Sequence, residues 1–179
     1  MKQVTQIGGW LTGFEIENAI ENQTIIIEPF FEGNLNPNSY NYHLGSTIKR
    51  ITNEVIDMKG EEYFEEIIIP EKGYLLKPGE CYLGTTYEII GSDLYASLIT
   101  GRSSVGRKFV TNHITAGLID QGFIGNITLE ITVIKPTIIY PLIQFGQIFW
   151  YTTVGKPKLY NGKYQNQLGP TISRLYLDK

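Results

Sequence analysis

The sequence predicts a mainly β domain, built as a sandwich or barrel of short strands with one or two short helices. Ile, Thr and Tyr, which fit a pleated surface, are abundant, whereas Ala, the best helix former, occurs only at positions 19, 96 and 116. The 19 glycines and 8 prolines interrupt the chain at short intervals, as is typical of strands joined by tight turns. A length of 179 residues suffices for one full core and not for two, so we expect a single domain over residues 1–179.

The first predicted element is a helix at about residues 13–22, where Phe14, Ala19 and Ile20 would share one face and three glutamates the other. The predicted strands are rich in β-branched or aromatic residues and lie at Thr24–Glu28, Tyr42–Ile51, Tyr74–Leu76, Cys81–Ile89, Leu94–Thr100 and Ile127–Ile134. The predicted connections are a turn-rich loop at 34–41 (NLNPNSYN), a solvated loop or sheet edge at 61–66 and a tight turn at 77–80.

Charge and cysteine usage exclude several classes of protein. The chain has 18 acidic and 15 basic residues, and the basic ones are not clustered, so we expect no nucleic-acid groove. No apolar run reaches the roughly 18 residues of a membrane span, and the N-terminus has no signal-peptide character; we expect a cytoplasmic protein that does not contact the membrane. Cys81 is the single cysteine. A zinc-dependent nucleobase deaminase needs a Cys-x-x-Cys pair, so any deamination here would proceed without zinc.

The first candidate site is Gly101–Arg107 (GRSSVGR), where two arginines flank two adjacent hydroxyls directly after an apolar strand. If Ser103 opens a helical turn, the free N–H groups there favour an anion. The arginines and hydroxyls would then bond phosphate oxygens. The alternative is a capped surface helix with two solvated arginines, and the spacing does not decide between the two.

The second candidate is Glu130, in the stretch 127–134 (ITLEITVI). Period-two alternation puts the aliphatic residues on one face of a strand and Thr128, Glu130 and Thr132 on the other. In a pocket, desolvation would raise the pKa of this carboxyl group and make it a candidate proton shuttle. The alternative, an exposed glutamate on an edge strand, is the more common outcome for a strand glutamate.

The third candidate is Asp120, framed by glycines at 115–125 (TAGLIDQGFIG). We interpret this stretch as a β-hairpin whose glycines let a flat ring approach the backbone closely. Taken alone, the stretch favours an ordinary hairpin in which the aspartate caps its own turn.

The fourth candidate is the polar tail that begins at Gly155. Within it, Tyr160–Gln167 (YNGKYQNQ) alternates aromatic rings with amides and a lysine. Such a pattern would suit a ligand with a phosphate and a ring, and a disordered terminus is the equal alternative.

Together and in this order, these segments resemble the dCTP deaminase branch of the trimeric dUTPase superfamily. The segments that carry the resemblance are Leu35–Gly45 (LNPNSYNYHLG), Gly101–Arg107, His113–Gly117 (HITAG), Ile119–Glu130 (IDQGFIGNITLE), Phe145–Gln147 (FGQ) and Gly162–Gly169 (GKYQNQLG). The resemblance implies a dUTPase-like distorted β-barrel related to the jelly roll, assembled as a homotrimer with active sites between subunits. It also sets apart residues 1–22 as a variant N-terminal segment and residues 155–179 as a C-terminal arm or lid.

The resemblance further implies metal-independent hydrolytic deamination of dCTP at C4, in which Glu130 activates water and passes protons to N3 and to the departing ammonia. Ser103 and Arg107 would hold the water and the pyrimidine, and Asp120 would contact deoxyribose and position a second water at the α-phosphate. The other implied nucleotide contacts are Arg102, Ser104, Val105, Gly106, Ala116, Gly117, Thr128, Leu129, Gln147, Tyr160, Lys163 and Gln167. Mg²⁺ would be carried by the triphosphate rather than by protein ligands.

Gly117 favours the dUMP-forming type of this family. Members that also hydrolyse the triphosphate, giving pyrophosphate and dUMP for thymidylate synthesis, tend to have Thr-Ala-Gly here, and deaminase-only members often have Thr-Ala-His. The alternatives are a deaminase that gives dUTP, a dUTPase that needs Asp120 without Glu130, and a nucleotide-binding regulator without turnover; dUTP and dTTP are further candidate ligands. Asn41 for the usual Asp, Gln121 for the usual Pro, and residues 1–12 depart from the family, which bears on trimer contacts and regulation.

Overall fold

The computed structural model describes residues 8–178, so the first seven residues of the predicted N-terminal segment lie outside it. The described part has two α-helices, α1 (Gly13–Glu21) and α2 (Ser103–Gly106), and two 3-10 turns, Glu32–Asn34 and Leu175–Leu177. Its strands are β1 (Ile26–Glu28), β2 (Leu35–Asn36), β3 (Ser39–His43), β4 (Thr47–Ile51), β5 (Phe64–Ile68), β6 (Tyr74–Leu76), β7 (Tyr82–Thr85), β8 (Ile89–Gly91), β9 (Ala96–Gly101), β10 (Val110–Thr111), β11 (Leu118–Ile119), β12 (Ile124–Gly125), β13 (Thr128–Val133), β14 (Thr137–Ile139) and β15 (Gln144–Tyr151). The predicted mainly β class is confirmed.

The strands form antiparallel sheets that enclose one core. One five-stranded sheet has the order β10-β13-β7-β4-β5, and the other has the order β11-β9-β15-β3-β2. A three-stranded sheet, β1-β8-β12, and a two-stranded ribbon, β14-β6, complete the described part. Trp150, Tyr40, Tyr42 and Phe145 are among the largest fully buried side chains. No helix within residues 8–178 is both long and apolar enough to cross a bilayer.

The predicted helix is confirmed, but its buried face is different from the predicted one. Thr12 caps α1 by accepting a hydrogen bond from the Glu15 N–H at 3.3 Å, as expected of an N-cap threonine. Ile16 and Ala19 face the core, whereas Phe14 is 69% exposed. Residues on one face of a helix are three or four positions apart. Ile16 lies three positions before Ala19, whereas Phe14 lies five positions before it and faces away from the core.

Two predicted strands are each divided in two. The predicted strand at 42–51 becomes β3 and β4, and the one at 81–89 becomes β7 and β8. Between β7 and β8, the Thr86 hydroxyl donates to the Glu88 carbonyl at 2.8 Å, while the Thr86 N–H donates to the Ile127 carbonyl. These side-chain and cross-sheet bonds bend the chain where the sequence shows only β-favouring residues.

The turn-rich loop predicted at 34–41 is wrong. Residues 35–36 pair with residues 39–40 in a tight hairpin, so β3 begins at Ser39. The side chains of the asparagines are hydrogen-bonded inside the fold. Asn36 Nδ2 donates to Asn41 Oδ1 at 3.0 Å, and Asn34 Oδ1 accepts from Gln144 Nε2. Polar residues that would usually indicate a solvated loop are here paired and largely buried.

Candidate active site

A cavity of about 560 Å³ lies against the polar face of β13. Its walls come from β13, from the segment before and including β11, from the loop between β4 and β5, and from the C-terminal tail. The cavity therefore combines segments that are distant in the sequence, which the sheet pairing brings to one side of the barrel.

Glu130 is the central titratable group of this cavity. On β13, Leu129, Ile131 and Val133 are buried and the residues between them are half-buried, as the alternation predicts. Glu130 lines the cavity, and its Oε2 accepts a hydrogen bond from the Ile114 N–H at 2.8 Å. One carboxylate oxygen is thus fixed by the backbone. Glu130 thus lies in a pocket, as one of the two interpretations of the sequence expects, and its backbone pairs with Leu83 of β7.

The cavity wall is rich in hydrogen-bond acceptors. It contains the carboxyl groups of Glu62, Asp120 and Glu130, while none of its described lining residues is a lysine, arginine or histidine. Glu62 Oε2 and Gln167 Oε1 are buried and have no hydrogen-bond partner among the described residues. Such a wall suits a ligand that offers donors and apolar surface, and it does not by itself suit an ionised phosphate.

The cations of Gly101–Arg107 lie elsewhere. This segment follows β9 and forms the helical turn α2, with Arg102 at the N-cap. Arg107 is exposed, and neither Arg102 nor Arg107 makes an ion pair within residues 8–178. The predicted helical turn is confirmed, while the turn stays outside the lining of the Glu130 cavity.

The hairpin predicted at 115–125 is wrong. The two strands of this stretch, β11 and β12, do not pair with each other: β11 pairs with β9, and β12 pairs with β8. A turn at Asp120–Phe123, with Gly122 at φ +92°, carries the chain from one sheet to the other. Asp120 lies at the start of this turn and lines the cavity.

The C-terminal tail folds over its own chain. The Tyr160 N–H donates to the Gln121 carbonyl at 2.7 Å, and the Asn126 N–H donates to the Gln167 carbonyl at 3.0 Å. A Cβ atom added at Gly122 would lie 2.8 Å from the Tyr160 nitrogen, so the close approach of the tail depends on glycine there. Through Tyr160, Gln167 and residues 171–173, the tail forms one wall of the cavity. We call residues 155–178 the arm.

Lys163 is held by the arm itself. Its Nζ donates to Asp178 Oδ2 at 2.6 Å and to the Arg174 carbonyl at 3.1 Å. The hydrogen bond to the Asp178 carboxylate raises the pKa of the Lys163 amine above its usual value. The ammonium predicted to contact phosphate is therefore partnered by a carboxylate near the end of the chain.

The predicted site residues fall into two groups. Those that line the cavity are Ala116, Asp120, Thr128, Glu130, Tyr160 and Gln167. Those outside the lining are Arg102, Ser103, Ser104, Val105, Gly106, Arg107, Gly117, Leu129, Gln147 and Lys163. The Leu129 side chain is fully buried on the core side of β13 and cannot touch a ligand in the cavity. Gln147 lies on β15, in the other five-stranded sheet, where its Oε1 accepts from the Ser39 hydroxyl at 3.2 Å.

Several lining residues were not found from the sequence. They include Glu62, Cys81, Ile114, Tyr164, Thr171 and Ser173. Glu62 belongs to the acidic run at 61–66, for which the sequence predicts a solvated loop or sheet edge, and part of that run does form the edge strand β5. Nothing in the local pattern distinguishes Glu62 from its neighbours, because its burial depends on how the loop before β5 lies over the sheet. Within the described chain, no three His, Cys, Asp or Glu side chains group to hold a metal ion.

Comparison with known proteins gives one consistent result. Residues 10–153 match a protein-family model described as dCTP deaminase-like. A protein of Hathewaya histolytica named "dCTP deaminase, dUMP-forming" is 46% identical over 169 residues, which cover 94% of this chain and 98% of the relative. Proteins with the same name from Cytophaga hutchinsonii and Leptospira biflexa are each 43% identical, with coverage of 94% and 97%.

A solved structure shares the fold. The crystal structure of 2′-deoxycytidine 5′-triphosphate deaminase from Agrobacterium tumefaciens superposes with a TM-score of 0.66 over 82% of this chain and 49% of that one. The sequence identity is 18%, so this likeness concerns the fold alone.

Proposed function

Because this chain belongs to the dCTP deaminase-like family, we propose that it deaminates dCTP at C4 and hydrolyses the triphosphate, releasing ammonia, dUMP and pyrophosphate. The observation that carries the proposal is the placement of Glu130, a carboxylate on a core strand that points into a cavity of nucleoside size. The full-length relatives named dUMP-forming support the product.

Glu130 acts as the general base and acid of the deamination. Its Oε2 is held by the Ile114 N–H, which leaves the other oxygen to take a proton from water. The water oxygen then bonds to C4, and Glu130 passes the proton it took to N3. Glu130 next carries the proton of the new C4 hydroxyl to the amino nitrogen, so that the C4–N bond breaks, ammonia leaves and the C4 carbonyl forms. A carboxylate held in one orientation by a backbone donor is suited to such repeated proton transfer.

The arginines that bind the triphosphate come from a second copy of the chain. Among residues 8–178, the cavity lining has three carboxyl groups and no cationic side chain. Arg102 and Arg107 lie on a separate turn and make no ion pair within the same residues. A homotrimer in which α2 of one subunit meets the cavity of the next completes each site and supplies Ser103 and Arg107 to the water and the pyrimidine. Closed rings of identical heterologous contacts are the ordinary way to build such shared sites.

The substrate enters as the magnesium complex of dCTP. Mg²⁺ bridges phosphate oxygens and keeps several waters, so it needs few protein ligands. Lys163 and Gln147, together with the arginines, bind the phosphates, while Ala116 and Asp120 lie against the sugar. The cytoplasmic location and the binding of dUTP or dTTP stay predictions from the sequence.

Gly117 supports the dUMP-forming type. A Cβ atom at this position would lie 2.8 Å from the Ile99 carbonyl oxygen and 3.2 Å from His113 Cε1. A histidine, as in the deaminase-only pattern, would need the backbone to move here. Asp120, which lines the cavity, contacts the sugar and holds the second water at the α-phosphate.

The proposal is tested by separate incubations with dCTP and dUTP, with ammonia and nucleotides resolved by chromatography. We expect ammonia, dUMP and pyrophosphate from dCTP. Glu130→Gln should lower ammonia release by about 10² to 10⁴-fold while nucleotide binding persists, and the exposed Glu71→Gln should behave as wild type. Ammonia release near the wild-type rate in Glu130→Gln would contradict the role of Glu130. Cleavage of dUTP without deamination of dCTP would identify a plain dUTPase.

A further inference from the structure

We propose that Phe109 and Ile134 of one copy of the chain pack against the loop between β4 and β5 of the next copy. The inference rests on the proposed function, since it names the surfaces through which α2 reaches the neighbouring cavity. We call Phe109 and Ile134, together with the basic residues Lys108 and Lys135 beside them, the β10 patch. We call residues 54–60, the middle of the loop, the tip.

Phe109 and Ile134 form an exposed apolar pair at one edge of the sheet that carries the cavity. β10 pairs with β13 in the register that places Val110 opposite Val133. The Ile134 N–H continues this pairing by donating to the Phe109 carbonyl at 3.3 Å, so the two side chains lie on one face of the sheet. Phe109 is 63% exposed and Ile134 is 71% exposed. The single chain therefore leaves apolar surface uncovered at this edge.

The backbone of Phe109 is strained. Its φ is +59°, in the left-handed region that a bulky side chain disfavours. The conformation is held from both sides, because the Phe109 N–H donates to the Gly106 carbonyl at 2.9 Å and its carbonyl accepts from Ile134. Strain of this kind is concentrated at functional positions. Since most of the ring is exposed in the single chain, we infer that burial by a partner offsets the strain.

The tip of the loop between β4 and β5 is a second exposed apolar surface, and the loop that presents it is ordered. Asn53 closes this loop: its Oδ1 accepts from the Tyr63 N–H at 2.6 Å, and its Nδ2 donates to the Glu61 carbonyl at 3.2 Å. On the tip, Val55 is 78% exposed and Ile56 is 50% exposed. A surface that is ordered in advance loses little conformational entropy when a partner binds.

The charges around these two surfaces are opposite. Residues 101–119 and 131–153 contain no acidic residue, and Lys108 and Lys135 of the β10 patch are exposed. The loop at 52–63 is acidic, with Glu54, Asp57, Glu61 and Glu62 against Lys59. Opposite charges favour contact between the two surfaces, and like charges oppose contact of either surface with itself. The partner that fits the β10 patch is therefore the loop of another copy.

Within one chain the two surfaces lie apart. The strand order β10-β13-β7-β4-β5 puts them toward opposite edges of one sheet, with three strand spacings, or about 14 Å, between β10 and β4. A contact between opposite edges of neighbouring copies is head-to-tail, and such contacts form a ring when the rotation closes.

This contact also brings the arginine turn to the cavity. Ile56 and Glu62 of the loop line the cavity of their own copy, and Phe109 lies two residues after Arg107. A loop seated on Phe109 of the neighbouring copy therefore holds the α2 turn of that neighbour beside the cavity that the loop itself lines.

The first test is Phe109→Gly, which removes the ring and suits the left-handed backbone, so the chain should fold, as circular dichroism checks. The midpoint concentration for assembly, measured by analytical ultracentrifugation with fluorescence detection, should rise about ten- to hundred-fold, as for the loss of one buried aromatic side chain. The matched control is Ile138→Ser, at an apolar residue of β14 that is 54% exposed. It should leave the midpoint within about two-fold of wild type.

Ammonia release from dCTP separates a docking role from a role in the chemistry. Below its midpoint concentration, Phe109→Gly should release less ammonia per chain than wild type, and the rate should recover as the protein concentration is raised. A rate that stays low in the fully assembled variant would show that Phe109 acts in the chemistry, which contradicts the proposal.

Charge reversal identifies the surface that covers the β10 patch. Lys108→Glu with Lys135→Glu, and separately Glu54→Lys with Glu61→Lys, should each raise the midpoint about ten-fold. The chain that carries all four substitutions should return to within about three-fold of wild type, because opposite charges face each other again. If the loop pair has no effect, or if the fourfold variant stays weakened, another surface covers the patch and the inference is wrong.

Failure of this inference and failure of the proposed function give different results. A wild type that assembles through these surfaces without deaminating dCTP overturns the proposed function and supports the contact. A wild type that deaminates dCTP, while Phe109→Gly and the charge reversals leave the midpoint unchanged, overturns the inference alone. A wild type that stays monomeric at every concentration also overturns the inference.

Discussion

The β13 cavity and the α2 turn are opposite in character, although both carry residues predicted to serve one site. The cavity is enclosed by distant segments, and its described lining has carboxyl groups without a cation. The α2 turn is a short exposed element with Arg102 and Arg107 nearby and with no ion-pair partner for them in the described chain. Each region lacks what the other has, and this difference is the basis of the proposed homotrimer with shared sites.

The strongest test of this comparison is complementation between two inactive variants. Glu130→Gln damages the cavity and Arg107→Ala damages the turn, and each should lower deamination by about a hundred-fold or more. When the two chains are mixed, unfolded and refolded together, about one quarter of the sites should combine an intact cavity with an intact turn. Ammonia release from dCTP should then recover to about that fraction of the wild-type rate.

A matched control uses two defects in the same region. Arg107→Ala mixed with Ser103→Ala should show no recovery, because both residues belong to one α2 turn and no mixed site has an intact one. Ammonia release that recovers in this control, or that fails to recover in the first mixture, would show that the cavity and the turn of one site do not come from different chains.

Removal of magnesium should have an intermediate effect and should act on the cationic region. EDTA added before dCTP should raise the KM for dCTP about ten-fold, because the triphosphate then meets the arginines without its bridging ion. Inhibition by dUMP, which depends mainly on the cavity, should change much less. If EDTA weakens dUMP inhibition as much as it raises the KM for dCTP, the ion acts on the cavity side. As a control, added Mg²⁺ should restore the original KM for dCTP.

The smallest expected effect concerns the arm. Asp178 holds the Lys163 ammonium, so a phosphate must displace this carboxylate to use the cation. Because exposed ion pairs are weak, Asp178→Asn should lower the KM for dCTP by only about two- to five-fold, while the exposed Asp93→Asn should leave it unchanged. A higher KM in Asp178→Asn would show that the carboxylate supports the arm rather than competing with the substrate.

The parts of the site that follow local rules could be predicted from the sequence. The alternation of 127–134 placed Glu130 opposite Leu129 and Ile131, and the structure confirms it. The turn at 101–107 was also predictable, because it needs only a strand end and a few residues of helical backbone. Both predictions depend on neighbours along the chain and not on what packs against them.

The predictions that failed depended on distant partners. The stretch at 115–125 has the glycines of a hairpin, but its strands β11 and β12 pair with β9 and β8 instead of with each other. The asparagines of 34–41 are typical of a solvated loop, but Asn34 accepts a hydrogen bond from Gln144, which is distant in the sequence. No local pattern indicates where such partners lie, since strand pairing is decided by the whole set of sheets.

The sequence by itself therefore determined the β class, the face of the strand on which Glu130 lies and the helical turn of the arginines, because backbone periodicity and local hydrogen bonding are properties of short segments. Only the tertiary structure decided that the arm folds over Asn126 and Thr128, that Glu62 enters the cavity, and that the arginine turn lies apart from it. These features come from contacts between residues tens of positions apart, and such contacts form only when burial of the common core brings the segments together.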